Sequence, residues 1–113
     1  MNLDSDLGDL AKRALAASGD QELMAEAVRK SMDAFAVLHP GRSVEVRVPP
    51  YRVVQILGGA THRRGTPPAV VEMQPTTWLE LIAGHCTWSA AVSAGKIQAS
   101  GVGSDLAELF GPN

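Results

Sequence analysis

Apolar residues recur at helical spacing from position 20 to 39 and at every second position from 43 onward, and that change of period divides the chain. In the first stretch Met24, Ala27, Val28, Ser31, Met32, Phe35 and Leu38 form one stripe, with Glu22, Glu26, Arg29, Lys30 and Asp33 on the other side. This pattern predicts an amphipathic helix. Asp20 is its expected N-cap, and His39-Pro40-Gly41 ends it, because the residue before a proline disfavours helix. The stripe has two readings: packing on a sheet, or a ligand pocket or dimer face built from the adaptable Met24, Met32 and Phe35. A weaker amphipathic pattern over 2–18, with Leu3, Leu7, Leu10, Ala14 and Leu15, predicts an earlier helix broken at Gly19-Asp20.

Alternation then takes over. Val44, Val46 and Val48 oppose Glu45 and Arg47, which predicts a half-buried strand over 43–48. Pro49-Pro50 either stops that strand or marks it as an edge, since neither residue donates to a ladder. A second strand is expected over 52–57, with Val54 and Ile56 on one side, and a third over 69–74, with Val71 and Met73 against Glu72 and Gln74. The segment from Gly58-Gly59 through Pro67-Pro68 reads as a loop or an irregular hairpin.

The stretch 77–110 organises the rest as two short helices, a strand and a final helical turn. Trp78, Leu79, Leu81 and Ile82 give the first helix an apolar face and Gly84 stops it. Pro75 and Thr76 start this helix, or Thr77 and Glu80 form a capping box. Thr87 is the expected N-cap of the second helix and Gly95 its stop. Residues 96–100 alternate, with Ile97 and Ala99 on the inward face and Lys96, Gln98 and Ser100 on the other. Ser104 is expected to cap a last turn carrying Leu106, Leu109 and Phe110.

Composition narrows the function classes. At 113 residues the chain is expected to form one domain. A net charge of -2 argues against nucleic acid as a partner. Cys86 is the single cysteine, so no internal disulfide can form and a reducing cytoplasm is the expected setting. The acidic N-terminal residues Asp4, Asp6 and Asp9 are unlike a secretory signal, and no apolar run has the ~20 residues that span a bilayer. His39, His62 and His85 show no metal-ligand spacing, so no metal and no cofactor is expected. His85-Cys86 invites a nucleophile reading, but neighbouring side chains rarely aim at each other, and Cys86 reads as a small turn filler. Gly101-Val102-Gly103 lacks the third glycine of a dinucleotide fingerprint and reads as a tight strand-to-helix turn. His62-Arg63-Arg64 is a basic loop tip, either simply solvated or able to give transient contact with anionic lipid headgroups. No catalytic constellation is visible, and no enzyme is expected.

The run Trp78-Leu79-x-Leu81-x-x-Gly84, followed by Trp88-x-x-Ala91-Val92-x-x-Gly95-Lys96-Ile97-x-Ala99-Ser100-Gly101, resembles the sterol carrier protein-2 family. The resemblance is closer to its bacterial, actinobacterial, orthologue branch. The runs SVEVRVPPYRVVQ at 43–55 and RGTPPAVV at 64–71 strengthen it. The resemblance implies an α+β fold, a mostly antiparallel twisted sheet with helices packed on one face. In these terms residues 1–39 are the N-terminal helices and 43–113 the sheet and C-terminal helices of a single domain. It also implies a lipid or other apolar ligand held between sheet and helices. The residues expected around that cleft are Met32, Phe35, Met73, Trp78, Leu81, Ile82, Trp88, Val92, Ile97, Ala99, Leu106 and Phe110. The alternative is an interaction or homodimerisation module whose cleft is filled by its own side chains.

Overall fold

The computed structural model describes residues 4–17, 19–58 and 68–111. Two helices, Ser5–Ala16 (α1) and Gln21–Leu38 (α2), precede three strands, Val44–Val48 (β1), Arg52–Ile56 (β2) and Ala69–Met73 (β3). Two short helices follow, Pro75–Ile82 (α3) and Trp88–Ser93 (α4), then a strand, Ile97–Ser100 (β4), and a 3-10 turn, Ala107–Phe110. The expected basic tip at His62-Arg63-Arg64 lies outside the described residues.

Local signals explain most of the boundaries. The Asp20 carboxylate accepts the Leu23 N–H at 3.0 Å, a cap worth ~1 kcal/mol. Glu26 and Lys30 pair at 2.8 Å along the solvent side of α2. The buried face of α2 is Ala27, Val28, Ser31, Met32 and Phe35. Leu38 is 39% exposed, so the stripe ends a turn earlier than the sequence pattern suggests. Thr87 caps α4 by accepting the Ala90 N–H at 3.1 Å. Gly84 and Gly95 follow the last turns of α3 and α4 with φ of 75° and 72°, a conformation that glycine adopts without the penalty of a Cβ.

Of the two starts expected for α3, the one at Pro75 holds, and the last turn differs from expectation. Helix α3 begins at Pro75 with Gln74 as an N-cap that makes no side-chain bond, and Thr77 is buried inside the helix rather than capping it. Proline at the first helical position supplies the φ angle and lacks the N–H that would need a cap. The last turn is 3-10 rather than α, its N-cap Leu106 makes no side-chain bond, and the chain entering it is held by Asp105, not Ser104, which accepts the Ala107 N–H at 3.0 Å.

The sheet order is β2-β1-β3-β4. β1 pairs antiparallel with β2, β3 pairs antiparallel with β4, and the central β1–β3 pair is parallel. The fold is therefore α+β with a mixed sheet, antiparallel in two of its three pairings. β1 is an interior strand, so Pro49-Pro50 marks its end and not a sheet edge. The turn returns the chain into β2, with the Tyr51 N–H donating to the Val48 carbonyl at 3.0 Å. Val44, Val46, Val48, Ile56, Ala69, Val71, Met73 and Ile97 are buried beneath the helices. The outward side carries Glu45, Arg47, Gln55, Glu72, Gln98 and Ser100. Each large apolar side chain fully buried this way contributes ~1.5–3 kcal/mol before entropy is counted.

The register shows how cover runs out across the sheet. Val54, Val46, Val71 and Ala99 lie in one cross-strand row. Val46 and Val71 are fully buried, whereas Ala99, at the β4 edge, is exposed. The sequence reading of Ala99 as lying on the Ile97 face is correct in register. Its expected place under the helices is not what the structure holds, because α2 packs over β2 at the other end of the row and Ala99 at the β4 edge stays exposed.

Candidate functional site

The space between the helices and the sheet is filled by rings. Phe110 stacks on Phe35 with centroids 5.2 Å apart and on Trp88 at 5.6 Å, at interplanar angles of 20° and 14°. Its ring is thus sandwiched between one ring from α2 and one from α4. Trp78 meets both phenylalanines edge-on, at 5.2 Å and 5.8 Å. Such pairs contribute about 0.5–1.5 kcal/mol each beyond burial. Trp78 also has to place its indole N–H, and it donates to the Ser31 hydroxyl at 2.8 Å. Ser31 in turn donates to the Ala27 carbonyl at 2.6 Å. Ser31 therefore belongs to the α2 stripe for a polar reason that periodicity alone does not reveal.

A groove of about 440 Å³ opens beside this cluster, between α4, β4 and the segment leading into the 3-10 turn. Its lining is Trp88, Ser89, Val92 and Ser93 from α4, Ala99 from β4, and Ser104, Asp105 and Ala107. That volume lies within the ~300–1,000 Å³ typical of small-molecule sites. Trp88, otherwise buried, supplies an aromatic wall, and Val92 is 45% exposed.

Of the twelve residues expected around a cleft, the groove gathers three: Trp88, Val92 and Ala99. Phe110 stacks on the groove residue Trp88. Met32, Phe35, Met73, Trp78, Leu81, Ile82, Ile97 and Leu106 are buried in the core. The polar members Ser89, Ser93, Ser104 and Asp105, together with Ala107, are additions. One signal for them was available: Ser89 and Ser93 stand four apart on α4 and share a helix face.

Among the described residues the titratable groups do not converge into a reactive set. Burial, and then the Glu80 carboxylate, push the Cys86 thiol up from its ordinary value, the opposite of what an activated nucleophile needs. His85 is exposed in the turn after α3. His39 packs edge-on against Phe35 at 4.7 Å, its Nε2 is buried without a partner, and burial pushes its pKa down. Among the described residues no group of three His, Cys, Asp or Glu side chains could hold a metal ion. No helix among them is long and apolar enough to cross a membrane.

A single-layer mixed sheet, covered on one face by helices and left with an aromatic-walled groove at its β4 edge, defines an α+β domain of the sterol carrier type. The model of the family described as bacterial SCP ortholog matches residues 20–111, and the chain belongs to that family. The match takes in α2, all four strands, α3, α4 and the 3-10 turn, and leaves α1 outside it. No curated protein matches the chain.

Proposed function

We propose that this protein is a non-enzymatic binder of an apolar or amphipathic small molecule, a lipid by class, held in the groove between α4, β4 and the 3-10 turn. The observation that carries this reading is a groove of about 440 Å³ with Trp88, Val92, Ala99 and Ala107 in its lining, in a chain of the bacterial SCP orthologue family. An acyl chain laid there gains ~0.8 kcal/mol per buried methylene against an association cost of ~4–15 kcal/mol. Binding in the micromolar range needs most of a long chain covered. A cytoplasmic setting with no more than transient membrane contact belongs to the same reading. The test is gentle purification followed by mass spectrometry of organic extracts, with Val92→Glu as control. A lipid recovered from the parent and lost from the variant supports the reading, and clean extracts together with no binding of apolar probes refute it.

The packed interior favours a second reading. Met32, Phe35 and Trp78 are fully buried and the Phe110 ring sits between Phe35 and Trp88, so the deep space is occupied by the chain itself. A module of this kind would use its groove for a second copy or a partner helix. Sedimentation equilibrium separates the two readings: concentration-dependent dimerisation abolished by Val92→Glu favours the module.

A further inference from the structure

We infer that Asp105 sets the head-group preference of the groove, which takes an apolar molecule ending in a hydroxyl or an amine and disfavours one ending in a carboxylate. This deepens the binding reading above and rests on it. Among the described residues Asp105 is the one ionisable side chain in the groove lining, and no lysine, arginine or histidine among them lines it. Its position is fixed, because Oδ1 accepts the Ala107 N–H at 3.0 Å where the chain enters the 3-10 turn. The second carboxylate oxygen takes no part in that bond and is available as an acceptor. Ser89 and Ser93 on α4, and Ser104 beside Asp105, complete a polar margin around the apolar wall of Trp88, Val92, Ala99 and Ala107. Serine hydroxyls donate and accept, so they do not discriminate between head groups. The carboxylate only accepts, so it favours a donor and repels a second anion. Glu108, one turn position on, and the net charge of -2 add no counterweight.

The size of the effect follows from exposure. Asp105 is exposed, so its Coulomb interaction with a charged head near it is that of a well-hydrated pair, about 1 kcal/mol or roughly fivefold in affinity. The experiment uses three ligands with one chain length: dodecanol, dodecylamine and dodecanoic acid. Each displaces the neutral fluorescent probe N-phenylnaphthylamine from the full chain at neutral pH. The variant is Asp105→Asn, whose amide oxygen keeps the bond to the Ala107 N–H and so keeps the turn. The expected result is that Asp105→Asn tightens dodecanoate about fivefold, weakens dodecylamine by a similar factor and leaves dodecanol within about twofold. Raising the salt to roughly 1 M, where the Debye length is ~3 Å, should shrink both shifts. If the variant moves all three ligands equally, or moves none, Asp105 does not select the head group and the proposal is overturned while the binding reading stands. If neither the probe nor any of the ligands binds the parent, both are overturned.

Discussion

Replacing Ser31 by alanine tests the packing of the whole helical layer through one hydrogen bond. Ser31 is 1% exposed, and its hydroxyl is the acceptor for the Trp78 indole N–H at 2.8 Å. In Ser31→Ala that N–H is left in a dry core, which costs ~1–3 kcal/mol. Alanine returns up to ~0.5 kcal/mol through better helix propensity in α2. The net loss is then about 1–2 kcal/mol. With a urea slope of ~1–3 kcal/mol per M for a small domain, the unfolding midpoint should fall by roughly 0.5–1 M. The sharper readout is the double-mutant cycle with Trp78→Phe. Phenylalanine has no N–H to satisfy, while the Ser31 hydroxyl keeps its bond to the Ala27 carbonyl. In that background Ser31→Ala should be near neutral or slightly stabilising, a coupling of about 1 kcal/mol or more. Equal destabilisation in both backgrounds would show that the two side chains do not meet, and the placement of α3 on α2 would be wrong.

Three further outcomes are expected. Phe110→Ala removes a half-buried ring stacked between two others and should cost about 2 kcal/mol, below the ~3–5 kcal/mol of a fully buried ring, lowering the Tm by roughly 8 °C; a Tm within a degree or two of the parent would refute the sandwich. Ala99→Phe points a ring into the open groove, so thermal stability should be kept while binding of N-phenylnaphthylamine is lost; a drop of ~1–3 kcal/mol would mean that a closed core surrounds Ala99 instead. His39, whose pKa burial depresses, takes up a proton more readily unfolded than folded, so it adds stability above about pH 6.5 that fades as pH falls below it; His39→Gln should flatten that part of the stability profile, and an unchanged slope would locate the pH dependence elsewhere.

Elements whose signal is local were legible in the residues. Asp20, Thr87, Gly84 and Gly95 each act within one helical turn, and the α2 stripe and the β1 alternation report buried faces directly. What depends on distant partners was not. The parallel pairing of β1 with β3 is set by where the chain re-enters the sheet after β2, which no alternation pattern encodes. The Ser31–Trp78 bond joins residues 47 apart, and a serine within an apolar stripe looks the same whether it caps a tryptophan or faces a void. Ala99 is the clearest case. Alternation tells which face of β4 it occupies, and not whether anything covers that face.

The same limit explains why the expected cleft and the observed groove share only part of their residues. Apolar side chains in a helix or strand announce burial, and burial is satisfied equally by a ligand and by a neighbouring side chain. Size decides between the two here. If an apolar void of about 440 Å³ were sealed inside, at ~24 cal/mol per Å³ it would cost on the order of 10 kcal/mol. That is comparable with the entire ~5–15 kcal/mol stability of a small domain. A chain of 113 residues is therefore expected to fill its interior, and Phe110 inserted between Phe35 and Trp88 does so. Open space survives where it costs least, at the β4 edge, where water can occupy it. The groove's small residues, Ala99 and Ala107, and its serines suit that position, since they tolerate water and leave room above Trp88.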